Sequence, residues 1–373
     1  MGETTVDTSK FRVGLGTHLL SGAMTSAPRF WDRLGQLESL VLSEQLDDIQ
    51  IQNPVYVTGL ARSGTTIALE VLASHSEVST HRYCDFPALF TPYWWGKANE
   101  NSKTVISERA HGDGLMVTNQ SPEAMEEVLW MAHFNNLHDP QHPSILDQND
   151  ANFEFERTYR QHIKKLILLR GGPRYVAKGN YNISRLKYIL SIFPDAKFVI
   201  PIRHPISHIA SLQKQHRLFC AGQKDHPRSI AHLRRVGHFE FGLDRRPINL
   251  GDNKQVNEIL DHWCREDEIS GWSKYWSSLY GWLHRYLEES PDLKESVMVI
   301  RYEDLCCRTN ETLQKVLRFT NLMDEPLVQT WSEKIKAPGY YDVQLTADEL
   351  AKIHDNCIDV AKLYGYRAEG DFR

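Results

Sequence analysis

The stretch VYVTGLARSGTT, residues 55–66, decides the fold. An apolar run through Val57 leads into Gly59, a second glycine follows at Gly64, and Thr65 and Thr66 close the segment. This is the G-x-x-x-x-G frame of a phosphate-binding loop, whose backbone N–H groups and following helix N-terminus suit an anion. A P-loop kinase or ATPase carries lysine at the next position, where this chain has Thr65. IALEVLASHSEV (67–78) then reads as a helix, so the order is strand, loop, helix.

Outward from the loop, strands and helices alternate. GGPRYVAKG (171–179) reads as a turn into a strand, and AKFVIPIR (196–203) as a buried β-branched strand. VMVIRYEDL (297–305) reads as a last strand. Helices are expected over 28–50, 121–137 with Ser121 as N-cap, 155–170, NISRLKYILSIFP up to Pro194, HPISHIASLQKQH from Pro205, 259–289 and 346–366. Residues 220–258 lose periodicity and gain Gly, Pro and Arg, which predicts a mobile loop or lid. The fold class is therefore α/β: a single domain with a mostly parallel central sheet flanked by helices and a P-loop-like nucleotide-binding core. Residues 1–50 form an N-terminal helical extension and 51–373 the main domain. Phe30, Leu34, Leu37, Val41 and Leu42 fall at helical spacing, either packing on that domain or joining two copies into a homodimer.

The 373 residues are 41% apolar and 24% charged, which supports a sizeable core. A net charge of −5 argues against a general nucleic-acid partner but permits a local basic site. No apolar run is long enough for a membrane span, and MGETTVDTSKF is no secretory signal. Six scattered cysteines without a C-x-x-C pair read as reduced thiols, so a cytoplasmic protein is expected. The histidines of HDPQHP (138–143) lack clear ligand spacing, and no metal is expected.

The loop offers hydroxyls from Ser63, Thr65 and Thr66 and a forked cation from Arg62. Charge-assisted bonds of this kind contribute about 1.5–3 kcal/mol each. RHPISHIAS (203–211) supplies a second clamp, with Arg203 ending a buried strand and Ser207 and Ser211 one turn apart behind it.

Together these segments resemble the sulfotransferases that use 3′-phosphoadenosine 5′-phosphosulfate (PAPS). Those enzymes carry [RK]-S-G-T-T for the 5′-phosphosulfate and R-x-P-x-x-x-x-x-S for the 3′-phosphate, and both patterns are present without gaps. FPDAKFVIPIRHP and RYEDL (301–305) extend the resemblance over roughly residues 53–320. It implies that Arg62, Ser63, Gly64, Thr65 and Thr66 hold the phosphosulfate. Arg203 and Ser211 would then hold the 3′-phosphate, with Tyr302 near the adenine. Without a γ-phosphate to transfer, no lysine–magnesium apparatus is required.

For the chemistry, Arg62 and Lys178 are the candidate cations, Lys178 because it matches the lysine of K-T-H in the cytosolic branch. The histidine of that motif is replaced by Asn180, which cannot act as a base. The chain is thus closer to branches that use an acidic base, and Asp85 is the nearest carboxylate at the matching distance, with His81 a rival. Glu123, Glu126 and Glu127 form a second acidic group, and His133 reads as a packed histidine. Tyr93, Trp94 and Trp95 could line an acceptor pocket or belong to the core. The basic run from Lys214 to Arg246 reads as a lid, an acceptor contact or a solvated loop. The expected reaction moves a sulfuryl group to a hydroxyl or amine of a small-molecule acceptor, releasing adenosine 3′,5′-bisphosphate. A P-loop kinase or nucleotide hydrolase and a non-catalytic nucleotide-binding protein are the rival readings.

Overall fold

The computed structural model describes residues 7–100, 106–108, 116–336 and 345–367; residues 1–6 of the N-terminal extension lie outside them. Its strands are β1 (Val55–Val57), β2 (Val78–Ser79), β3 (Ser107–Glu108), β4 (Met116–Val117), β5 (Arg174–Lys178), β6 (Lys197–Ile202) and β7 (Val297–Arg301). Five form one sheet in the order β2-β5-β1-β6-β7, every pairing parallel, while β3 and β4 make a separate antiparallel ribbon. β1 lies between β5 and β6, with Val57 opposite both Lys178 and Val199. The loop after β1 therefore emerges between the carboxyl ends of its two neighbours, where ligands of open α/β sheets bind.

Both faces of this sheet are covered, as parallel strands require. Tyr56, Tyr175, Ala177, Phe198 and Ile200 join a core with Trp130, Tyr159 and Trp276. Val55, Val57, Val176 and Val199 face a second core with Leu69, Leu72 and Leu317. The alternation along β1 is the period of two that splits one short strand between two cores. No described helix is long and apolar enough to cross a membrane.

Three expectations need correction. The first concerns the N-terminus, which holds helices at Leu15–Ser26, Pro28–Val41 and Ser43–Asp47. Phe30, Leu37 and Val41 are exposed, whereas Leu34 is half-buried and Leu42 buried, and the buried residues of the second helix are Asp32, Gly35 and Glu38. Glu38 is 0% exposed and meets Lys165 Nζ at 2.9 Å, while Asp32 accepts from Thr158 Oγ1 at 2.9 Å. Lys165 also donates to the carbonyls of Gly35 and Phe90 at 3.1 Å each. Polar partners on the body thus turn the helix away from the face that apolar spacing alone selects.

The second concerns 121–137, where the helix is only Glu127–His133. Ser121 caps nothing there: its Oγ accepts from Thr118 N, Pro122 bridges to Arg82, and Glu123 N donates to His81 O. Backbone pairing with the 81–82 segment wins over the local helix signal. The third concerns 220–258, which is not one loop: helices take its start, middle and end, and the irregular part is 237–252. The Pro205–Asp225 helix runs through its start, Arg228–Val236 follows, and Asn253–Cys264 closes it. Ile230, Leu233 and Val236 are the apolar repeat of the middle helix.

Candidate active site

The glycine loop is held in an unusual backbone shape. Arg62 has φ of +69° and Gly64 of +107°, so two left-handed residues bracket Ser63. A Cβ on Gly64 would lie 2.7 Å from Tyr302 Cδ2, so glycine is required by both conformation and space. Thr65 starts the Thr65–Ala73 helix, which aims that helix's N-terminal amides at the loop. Ala61 O accepts from His208 Nε2 at 2.8 Å, which fixes the proton on Nε2. Burial, with the nearby Arg203 and Arg62 cations, pushes the His208 imidazole down to about 3 against the help of that hydrogen bond, so it buttresses the loop as a neutral ring.

Three strand ends converge on the loop. Arg62 Nε donates to Ser211 Oγ at 3.4 Å. The Arg203 guanidinium stands 4.9 Å from the Tyr302 ring centre, and that ring packs against Gly64. Glu303 anchors the second clamp, accepting from His204 N at 2.9 Å and from the Tyr366 hydroxyl at 2.8 Å. Arg62, Gly64, Arg203, Ser211 and Tyr302, far apart in sequence, thus form one patch. Ser63 and Thr65 are buried beneath it.

Lys178, at the end of β5, closes the other side. Its Nζ lies 3.3 Å from Thr66 Oγ1 and 3.3 Å from Glu123 Oε1. Burial alone would raise the Glu123 carboxyl, but Lys178, a bond from Tyr83, the Ala124 N–H and His238 together hold it down at about 2. Beyond Lys178, Asn180 Nδ2 donates to Glu240 Oε1 at 2.9 Å, and Glu240 Oε2 lies 3.4 Å from His238 Nδ1. Burial opposes charge on His238, yet the carboxylates of Glu240 and Glu123 outweigh it and Lys178, and raise the imidazole's affinity for a proton. An arrangement of three cations around a loop of amides, with a carboxylate and an imidazole at its edge, can bind a doubly anionic group and move a proton beside it.

Other candidates sit elsewhere. Asp85 is 1% exposed, ion-paired with Arg170 and bonded to Arg82 N at 2.8 Å, and none of its partners belongs to the loop. Burial would raise its carboxyl, but His81 and Arg170 keep it below the usual range. His81 Nε2 lies 3.0 Å from His162 Nε2 in a buried stacked pair. Glu126 is enclosed by Tyr159, Tyr175 at 2.6 Å and Asn182 at 3.3 Å, and burial holds its carboxyl above the usual range despite them. Glu127 is clasped by Arg185 at 2.8 and 2.9 Å and by His138 at 2.7 Å. His133 lies 3.6 Å from Asp32, and His142 bonds Asp139 at 2.9 Å.

Trp94 N donates to Glu38 and Trp95 Nε1 to Cys84 O, which ties that segment to the scaffold. A cavity of about 250 Å³ opens nearby, lined by Phe86, Phe90, Val128, Met131 and Arg234 among others, with Tyr93, Trp94 and Trp95 outside its lining. Much of the basic run is spoken for: Arg234 and Arg246 pair with Asp244, Arg245 with Glu268, and Arg235 donates to His18 O. These arginines tie the run to the fold, Arg245 through a side chain only 8% exposed and Arg234 from an exposed position. His208, His238 and Glu240 escaped the sequence reading. The spacing of Ile230, Leu233 and Val236 before Gly237 was the available signal for the turn that carries the last two.

A protein-family model described as the sulfotransferase family matches residues 54–239. No curated protein matches the chain. Among solved structures, sulfotransferase STF1 from Mycobacterium tuberculosis H37Rv is 16% identical over 95% of this chain and 93% of that one, with a TM-score of 0.46. Sulfotransferase STF9 from Mycobacterium avium is 14% identical over 89% and 82%, with a TM-score of 0.48. A sulfotransferase from Alicyclobacillus acidocaldarius is 13% identical over 86% and 98%, with a TM-score of 0.39.

Proposed function

From the premise that the chain belongs to the sulfotransferase family, we propose that it transfers a sulfuryl group from PAPS to a hydroxyl or amine of a small-molecule acceptor, in the cytoplasm. The observation that carries this reading is Lys178, whose Nζ lies 3.3 Å from both Thr66 Oγ1 and Glu123 Oε1. A lysine from the neighbouring strand thus reaches a loop that has Thr65 where a P-loop kinase carries lysine. The donor's fit is supported by the chemistry of the loop: its left-handed turn at Arg62 and Gly64 leads into the N-terminus of the Thr65–Ala73 helix, with the Arg203 guanidinium close by on the Tyr302 ring.

In this reading PAPS supplies an activated sulfuryl group on a phosphate leaving group. The amides of 62–66, Arg62 and the Thr66 hydroxyl hold its phosphosulfate, and Arg203 and Ser211 hold the 3′-phosphate. Tyr302 offers a face at the adenosine end. Lys178 meets the charge that grows on the bridging oxygen, a stabilisation of the kind worth about 2.7–4 kcal/mol when a single donor is removed. Glu123 keeps Lys178 aimed at Thr66. A carboxyl held at about 2 is a poor acceptor for an alcohol's proton, so alignment is its part. The enclosure of Asp85 by Arg170 disfavours it as the base.

The test is a thermal-shift titration with adenosine 3′,5′-bisphosphate beside ATP plus magnesium. At 100 times its dissociation constant the bisphosphate should stabilise the fold by about 2.7 kcal/mol, with little response to magnesium-ATP. A preference for magnesium-ATP would turn the assignment towards a kinase or hydrolase.

A further inference from the structure

The sequence lacks a histidine at position 180, yet an imidazole reaches the same neighbourhood from another element. The Arg228–Val236 helix ends at Gly237, which has φ of +76° and whose Cβ would lie 2.3 Å from Glu127 Cγ. Only a glycine lets the chain press this closely against a glutamate that Arg185 and His138 already immobilise. The next turn is pinned as well, with Phe239 N donating to the Tyr181 hydroxyl at 2.9 Å and Phe239 O accepting from Arg246 N at 2.8 Å. His238 is thereby delivered beside the end of β5. Its Nδ1 faces Glu240 Oε2 at 3.4 Å, and the other oxygen of Glu240 is held by Asn180 at 2.9 Å.

Resting on the sulfotransferase reading, we propose that His238 is the catalytic base for the acceptor, positioned by Glu240 and through it by Asn180. With Nδ1–H turned to the carboxylate, Nε2 is the ring nitrogen left to take a proton; among the described residues it has no hydrogen-bond partner, and the side chain is 33% exposed. The acceptor O–H gives its proton to Nε2 while the oxygen's electron pair forms the new bond to sulfur. The bond from sulfur to the bridging phosphate oxygen breaks, and that oxygen leaves with its pair beside Lys178. Asn180 thus keeps a function at the position where the cytosolic branch has its histidine: it orients the orienter.

The charged and titratable groups that face His238 are Glu240 and Glu123, which favour its protonation, and Lys178 and His232, which oppose it. Removing the Glu240 charge should therefore make the imidazole lose its proton at lower pH.

The test uses hydrolysis of PAPS, with water as the acceptor, followed from pH 5 to 9 in the parent, H238Q and E240Q, each checked for its thermal shift with adenosine 3′,5′-bisphosphate. H238Q should bind the bisphosphate like the parent and hydrolyse the donor about 100-fold more slowly or worse, without the parent's acid limb. E240Q should keep that limb but move it to lower pH. An H238Q variant with the parent's rate and pH profile overturns the proposal and leaves the sulfotransferase reading standing. A parent with no bisphosphate shift defeats both. Imidazole nitrogen NMR of the parent supplies a check independent of turnover: the Nδ1–H tautomer of His238 is expected, and the Nε2–H tautomer overturns the assignment.

Discussion

Two buried carboxylate–cation pairs, Asp85–Arg170 and Glu123–Lys178, look alike in chemistry and differ in what surrounds them. The first is closed off, with Asp85 1% exposed and held by Arg82 and His81 as well. The second is slightly more open at 12% for Glu123, and its lysine also touches Thr66 of the glycine loop. Counting residues from the loop selects Asp85, whereas geometry selects Glu123. The two pairs differ in what the cation reaches next, and of the two Lys178 is the one that reaches the loop.

That contrast can be broken by experiment. Asp85→Asn leaves Arg170 buried without its anion, and should lower unfolding free energy by about 3–5 kcal/mol in urea titration. The fraction still folded should bind adenosine 3′,5′-bisphosphate normally. Unchanged stability with lost turnover would restore Asp85 as a chemical participant. Lys178→Met strands Glu123 in turn and should also cost stability, but it differs in the folded fraction, where donor hydrolysis should fall about 100- to 1,000-fold. Arg203→Ala should weaken bisphosphate binding about ten- to a hundredfold by calorimetry, the loss of roughly one or two charge-assisted bonds. An unaltered affinity would remove the second clamp.

The smallest effect sharpens the comparison through pH. Glu127, another scaffold carboxylate, is held down at about 2 because Arg185 and His138 overcome its burial. A depressed carboxyl contributes stability that is fully present above its unfolded value, about 4.3, and fades as pH falls towards 2. The stability gap between the parent and Glu127→Gln should therefore be constant from pH 5 to 7 and shrink between pH 4 and 2. A gap independent of pH over that range would mean that the pairing is not electrostatic.

What was legible in the sequence was local. Gly59, Gly64 and the flanking apolar run defined strand, loop and helix without help, and Arg203 at the end of FVIPI announced its own position on the sheet edge. Tyr302 was legible as a strand end, but its contact with Gly64 depends on β7 lying beside β6, which no spacing encodes. The 121–137 segment misled because Pro122 and Glu123 pair with His81 and Arg82, a contact across about 40 residues that overrides helix propensity. The second helix of the extension misled for a related reason. Its apolar stripe is real, but Lys165 and Thr158 reward the polar side instead. His238 was invisible because its placement follows from a left-handed turn at Gly237 and a partner 60 residues away from Asn180.

The pairing of Glu38 with Lys165 bears on how separable the parts of this molecule are. A detachable module meets its neighbour through wet, exchangeable contacts, so either side survives alone. Here a dry lysine 2% exposed is neutralised by the extension's carboxylate and bonded to its Gly35 carbonyl. A chain begun at residue 51 would take from that ammonium its anion and one of its two carbonyl acceptors, and would bare the surface on which the extension packs. The helix Pro28–Val41 is thus built into the wall of the body, and cleavage between it and β1 should lower the stability of what remains.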